Sequence, residues 1–216
     1  IRVDKDNPRA GISRCILSDG KNEYVTLSGA PDIRKDMLCA YALPGAVIAG
    51  GMKIDHREIS GETSFGMMLS GVEIGFAEPA DRLFYIDDDV EIGADLSELL
   101  GWKNETIFDV EVTPNRGDLL GHYGLARDIA AVLGIKFDLK DIELPTEMVG
   151  TTRKIDLSID SKTLCQRYSG LVIEDFEVKS SPLWLIGRIF SLGIRPISNV
   201  VDVTNYVLML LPHPLH

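Results

Sequence analysis

A polar break between an apolar strand and an apolar helix constrains this chain more than any other stretch. The segment Ile107 to Gly134 reads IFDVEVTPNRGDLLGHYGLARDIAAVLG. Ile107, Phe108, Val110 and Val112 are apolar or β-branched, and Asp109 and Glu111 alternate with the last two, which predicts a strand. Pro114 ends it, because proline has no N–H for a ladder. Asn115 to Asp118 make a polar turn. Asp118 then stands where a helix N-cap is expected. Leu119, Tyr123, Ala126, Ala130 and Leu133 recur every three or four residues and predict one apolar helical stripe, with Gly134 closing the helix. Two readings of the turn stay open. Asn115, Arg116 and Asp118 either hold a tight junction together or form an anion site at a helix N-terminus, and Asp118 itself would repel an anion.

Upstream, residues 1 to about 102 read as mostly β. Strands are expected at Ser13–Leu17, Glu23–Leu27, Leu38–Ala42, Met52–Ile59 and Leu83–Ile86, separated by SDG, SGAP, LPGA and AGG turns. Short strands with this punctuation predict a small β-barrel or sandwich. The GMMLSGVEIGF stretch can hold a helical turn, and Asp95–Leu100 predicts a short helix ended by Gly101, with Trp102 anchoring the exit. Asn7 to Gly11, NPRAG, reads as a loop. The acidic run Asp87, Asp88, Asp89 lacks the spaced oxygens and turning glycine of a calcium loop, and reads as a solvated turn.

Downstream, FDLKDIELPTEMVGTTRK is polar, contains Pro145 and Gly150, and reads as a linker. Lys154–Ile159 and Arg167–Ile173 are expected strands. Ser181-Pro182 opens a helix with a hydroxyl cap and proline at its first position, carrying Leu185, Ile189 and Leu192 as its stripe and ending at Gly193. Val200 to Leu211 is strongly apolar and predicts a buried helix or a turn followed by a helix. The fold class is therefore α+β and multidomain.

Composition excludes several functions. With 45% hydrophobic and 25% charged residues the 216-residue chain can bury a core. No run approaches the roughly 18 apolar residues of a membrane span. Net charge is −11, which repels phosphate and argues against tight nucleic-acid binding by this chain alone. Cys15, Cys39 and Cys165 are far apart and form no metal pattern; they read as reduced thiols. The four histidines are scattered, so a zinc site has no support. The chain opens at Ile1 without Met and reads as an internal piece of a longer polypeptide.

VTPNRGDLLGHYGLARDIAAVLG resembles the TPNR-x-D…GIAREVAA stretch of bacterial phenylalanyl-tRNA synthetase beta subunits. LSGAPDIRKDM, ALPGAVIAGGMKI and GETSFGMMLSGVEIG are similar to three upstream segments of that family. RYSGLVIEDFEVKSSPLWLIGRIFSLGIRPISNVVDVTNYV resembles the opening of its editing domain. The motifs run in the family's order over nearly all of the chain. The resemblance implies an OB-like, tRNA-binding-type barrel over residues 1–102, an α/β segment with the TPNR motif and linker over 103–147, and the start of the editing domain over 148–216. It also implies a cytoplasmic ligase that attaches phenylalanine to its tRNA using ATP and Mg2+, as two alpha and two beta subunits, with no cofactor bound by this piece. The alternative is a non-catalytic tRNA-binding or interaction module.

Site residues follow from the same resemblance. Asn199, Asp202, Thr204, Asn205, His213 and His216 are polar residues in or beside an apolar run, so each reads as a satisfied core group or as part of a catalytic set. The resemblance implies that Thr204, Asn205 and His216 line a pocket hydrolysing mischarged tyrosyl-tRNA. Thr204 and Asn205 would be wall and orienting residues, and His216 would contact the terminal adenosine or the water. The chain reads LPHPLH where relatives carry GQPLH, with His213 in place of Gln. The rest of that pocket is expected beyond residue 216. Asn7, Arg9 and Arg14 are the nucleic-acid-binding candidates of the barrel. NPRAG replaces the H-P-N-A-D of related domains, with Asn7 for His and Gly11 for Asp.

Overall fold

The computed structural model describes residues 2–9, 11–59, 61–76, 80–138 and 153–216, the first of these by their backbone alone. The N-terminal half is built from short antiparallel sheets. β1 (Arg2–Arg9), β2 (Ile12–Ser18), β3 (Glu23–Ser28) and β4 (Met37–Leu38) form a four-stranded sheet in the order β3-β2-β1-β4. β1 pairs β2 from Arg2 opposite Ser18 to Arg9 opposite Ile12, with a bulge between Asp6 and Arg9. The NPR sequence read as a loop is thus strand backbone; its polar composition and Pro8 hid it, and the bulge absorbs the irregularity. β5 (Tyr41–Ala42) pairs β8 (Met67–Met68), and β6 (Arg57–Ile59) pairs β7 (Glu62–Ser64). Isolated bridges join Cys39 to Tyr85 and Ser70 to Leu83. Among the described residues these ladders do not close into one barrel.

Period-two burial explains β2. Ser13, Cys15 and Leu17 are buried while the residues between them are half-exposed. Cys15 and Leu17 meet Ile33, Met37, Cys39, Met68 and Leu83 in one core cluster, and Ala40, Ala42, Ile54 and Leu69 form a second. A helical turn α1 (Gly71–Ile74) follows in the GMMLSGVEIGF stretch, closed by a capping box between Ser70 and Glu73. Helix α2 (Leu96–Leu99) is capped by Asp95, whose side chain accepts from the Ser97 N–H at 2.8 Å.

Three longer helices complete the fold: α3 (His122–Leu133), α4 (Leu183–Ser191) and α5 (Asn199–Leu210). α4 packs directly on the β-rich half. Phe76, Leu100, Leu183 and Ile186 form a buried cluster, edged by Trp102 and Phe190. Trp102 Nε1 donates to the Gly187 carbonyl at 3.3 Å, so the tryptophan does anchor the exit from the β region. A Cβ on Gly187 would lie 1.8 Å from the Leu100 carbonyl oxygen; only glycine permits this approach. Arg188 adds an ion pair to Glu105 at 2.6 Å.

Three expected strands carry no ladder. Ile107 to Val112 has no β-partner among the described residues, and Phe108 is 80% exposed. Lys154–Ile159 and Arg167–Ile173 are likewise unpaired, yet they run side by side: Arg153 pairs with Glu174 at 2.9 Å, and Gly170 sits under Ile155 and Leu157. A strand forms only where a neighbour takes its N–H and C=O groups. The α3 stripe is only partly covered: the turn before it and α5 touch the helix, Leu119 and Tyr123 are half-buried and Ala130 is buried, but Leu133 is 66% exposed. Most of the expected linker, residues 139–152, lies outside the described residues.

Candidate functional site

Helix α5 presents the apolar run of the sequence with its polar residues, and its N-terminus is fixed by two of them. Ser198 caps it, accepting from the Val201 N–H at 3.5 Å. Asn199 closes on the preceding strand-like segment: its Nδ2 donates to the Glu177 carbonyl at 2.9 Å, and its Oδ1 accepts from the Lys179 N–H at 3.2 Å. Asp202, 1% exposed, accepts from Ser181 Oγ at 2.5 Å and from the Ile197 N–H at 2.8 Å. A buried carboxylate must find such donors or lose far more than the hydrogen bonds return. Asn199 and Asp202 are therefore framework residues that set where α5 begins.

Thr204 is half-buried, and its Oγ1 donates back to the Val201 carbonyl at 2.7 Å, a helix-internal bond that leaves the oxygen's lone pairs free. Asn205 is half-buried with no side-chain hydrogen bond among the described residues. Neighbours on a helix project about 100° apart, so these two open on adjacent faces. His213 and His216 are exposed, beyond the end of α5. Thr204 and Asn205 sit on α5 and His216 lies six residues past its end, and none of the three lines the cleft between α4, α5 and residues 82–85. Val200, Val203 and Leu208 are 42%, 48% and 38% exposed, so α5 is not the buried helix expected; one face is covered by α4 and another is open.

The turn of the TPNR motif resolves in favour of the junction. Asp118 does not cap α3, which starts after Gly121. Instead Arg116 holds Asp118 with two parallel bonds of 3.0 Å and reaches Asp128 on α3 at 2.7 Å. Arg127 adds a contact to Asp118 at 3.3 Å. The Arg116 guanidinium lowers the Asp118 carboxyl, and Asp118 followed by Asp128 raises Arg116. With its guanidinium held by two carboxylates, Arg116 is not a receptor for an anion. Gly124 lets the helix press on the turn, since a Cβ there would sit 1.6 Å from the Asp118 carbonyl oxygen.

The nucleic-acid-binding candidates of the β-rich half fare differently. Arg14 Nε donates to Glu62 at 2.6 Å, which ties β2 to β7. Asn7 and Arg9 lie on β1 by their backbone, and their side chains lie outside the described residues. Cys15 and Cys39 are buried thiols outside any disulfide, and burial pushes the Cys39 thiol up to about 12. Among the described residues no group of three or more His, Cys, Asp or Glu could hold a metal ion. No described helix is long and apolar enough to cross a membrane.

The sequence underread one residue. Asp88, placed in a solvated acidic turn, accepts the Leu183 N–H at 2.7 Å and so serves the start of α4. Helix α4 begins one residue later than expected, with Pro182 at the cap position, and the Ser181 hydroxyl goes to Asp202 rather than to the helix. No local pattern announces a cap supplied from 95 positions away. Between α4, α5 and residues 82–85 lies a cleft of about 420 Å³, walled by Phe76, Phe84, Ile186 and Phe190.

Comparison with known proteins gives a consistent picture. Residues 164–216 match the model of the B3/4 domain, which covers α4 and α5. The chain is 37% identical over 205 residues to the phenylalanine–tRNA ligase beta subunit of Geobacter metallireducens, covering 95% of this chain and 26% of that protein. It is 36% identical over 204 residues to the corresponding subunit of Thermotoga maritima, covering 94% and 25%. The Bacillus cereus subunit is 36% identical over 223 residues, covering 100% and 28%. The chain thus spans about a quarter of the length of these relatives.

Proposed function

We propose, since this chain belongs to the phenylalanine–tRNA ligase beta-subunit family, that it is a non-catalytic section of such a subunit. Its parent is a class II aminoacyl-tRNA synthetase that attaches phenylalanine to its tRNA with ATP and Mg2+. It works in the cytoplasm, as two beta chains with two alpha chains. The section comprises an OB-like barrel over 1–102, the Arg116 junction with its linker over 103–147, and the opening of an editing domain over 148–216. The observation that carries this reading is identity of 36–37% sustained over nearly all of the chain, together with the B3/4 match over α4 and over α5, the helix that bears Thr204 and Asn205.

The chemistry of editing fits those residues. A hydrophobic synthetic site rejects tyrosine imperfectly, because tyrosine differs from phenylalanine by one added hydroxyl. A second site recognises that hydroxyl with polar groups and admits water to the ester. In this reading Thr204 offers an oxygen acceptor at the pocket wall, Asn205 offers an uncommitted amide, and His216 orders the terminal adenosine or the water. Asp202 and Asn199 hold the helix that presents them. The residues that complete the pocket come from elsewhere in the subunit.

The test is deacylation of tyrosyl-tRNA carrying the phenylalanine anticodon, by residues 1–216 and by the same chain extended with downstream beta-subunit sequence. Activity confined to the extended chain, and lost on His216→Ala, supports the reading. Activity in neither, with His216→Ala also silent, moves the assignment to a tRNA-binding or interaction module.

A further inference from the structure

We propose that Asp88 is a positioning residue for the α5 site, acting from the β-rich half through the entry to α4. The inference rests on the functional reading above for what α5 does, and on geometry alone for how Asp88 reaches it. The entry is three residues long and is gripped from two sides. From the side of the β-rich half, Asp88 Oδ2 takes the Leu183 N–H at 2.7 Å. From the α5 side, Asp202 takes Ser181 Oγ at 2.5 Å and the Ile197 N–H at 2.8 Å. Ser181 and Leu183 are 5% and 4% exposed, so neither bond is replaced by water at no cost. Between them Pro182 fixes the backbone at φ −57 and brings no N–H of its own. The link from Asp88 to Asp202 is therefore short and stiff, and Thr204 and Asn205 follow Asp202 by two and three residues on the same helix.

The neighbours of Asp88 do not share this arrangement. Asp87 and Asp89 are exposed and make no hydrogen bond among the described residues. The middle carboxylate alone is turned toward α4, where the N-terminal dipole also favours it. Packing at Gly187 and Trp102 sets the distance of α4 from the β-rich half, while Asp88 sets its register at the end nearest Asp202. Removal of Asp88 frees the first turn of α4 and lets Thr204 and Asn205 drift relative to whatever completes the pocket. A misplacement of around 1 Å costs a reaction on the order of tenfold to a hundredfold.

The experiment uses the assembled synthetase and compares Asp88→Ala, Asp88→Asn and Asp87→Ala. The expected result is a fall of about tenfold or more in kcat for tyrosyl-tRNA deacylation in Asp88→Ala, with KM and phenylalanylation unchanged. Asp88→Asn, which keeps an oxygen acceptor, restores it, and Asp87→Ala is silent. A parallel measurement reads the geometry without activity: spin labels at Lys21→Cys and Val203→Cys in a Cys165→Ser background. The interlabel distance distribution broadens or shifts in Asp88→Ala and not in Asp87→Ala. An unchanged distribution overturns the inference. An altered distribution with intact deacylation, in an enzyme where Thr204→Ala abolishes deacylation, overturns the positioning role while the functional reading stands. If Thr204→Ala is silent as well, the functional reading fails, and with it the role proposed for Asp88.

Discussion

Replacing Gly187 by alanine gives the sharpest test of how the two halves are joined, because two physical effects predict opposite signs. Gly187 is inside α4, where alanine is favoured over glycine by up to about 1 kcal/mol. Against that, its Cβ would meet the Leu100 carbonyl oxygen at 1.8 Å, whereas ordinary C···O approaches are about 3.3 Å or more. The obstacle is backbone, so no side-chain rotation relieves it, and α4 must withdraw by about 1.5 Å, the difference between those distances. Overpacking of this kind costs about 3 kcal/mol, and loss of the Trp102 bond to the Gly187 carbonyl costs about 1 kcal/mol more. The net expectation is a destabilisation of about 3 kcal/mol, a fall in Tm of about 6–12 °C for a chain of this size. Urea unfolding followed by the fluorescence of Trp102 and Trp184 measures it. Gly117→Ala is the control, since a Cβ there meets nothing within 4 Å. A Gly187→Ala protein as stable as the parent, or more so, refutes the reasoning.

Asp202→Ala removes the acceptor of two hydrogen bonds within the fold and leaves Ser181 Oγ and the Ile197 N–H unpaired; we expect a loss of about 3 kcal/mol, read by the same unfolding curves. Cys39 ionises at about 12 in the fold against an ordinary 9.0. The raised value means that its contribution is whole below pH 9 and is lost as pH climbs toward 12. Stability should fall over that window, and Cys39→Ala should flatten the fall. A thiol reagent at neutral pH should modify Cys165 first and reach Cys15 and Cys39 only on unfolding, which mass spectrometry of the labelled protein checks. Phe108, Val132 and Leu171 are 80%, 80% and 71% exposed, and open apolar surface of this kind drives association. Residues 1–216 alone should therefore self-associate, and a monodisperse monomer in light scattering would count against this.

What was legible in the sequence was local. The strand at Ser13–Leu17, the short helix near Asp95–Leu100, the Leu185–Ile189 stripe and the glycine after α4 are written in neighbouring residues, and the structure has them where the pattern puts them. What failed depends on partners. The strand at Ile107–Val112 has the right residues and no β-partner among the described ones, so pattern alone overpredicted order there, whereas α3 forms where its stripe predicts and closes at Gly134. β1 was hidden for the opposite reason, since its polar NPR end is held by pairing to β2 and not by its own propensity. At the candidate site, the polar residues of α5 were legible as a set, but their division was not. Asp202 and Asn199 turn inward to fix the helix, while Thr204 and Asn205 do not, and that difference rests on contacts with Ser181, Ile197, Glu177 and Lys179. Arg116 shows the same limit: the sequence leaves a junction and an anion site both open, and Asp128, twelve residues on, decides for the junction.

The central claim is that α5 presents part of an editing pocket within a phenylalanine–tRNA ligase. It is tested most directly by measuring tyrosyl-tRNA deacylation and phenylalanylation side by side in the assembled enzyme carrying Thr204→Ala or Asn205→Ala. The account predicts that deacylation falls by about a hundredfold while phenylalanylation is unchanged. Deacylation at the parental rate in both variants, with the protein folded, would contradict it.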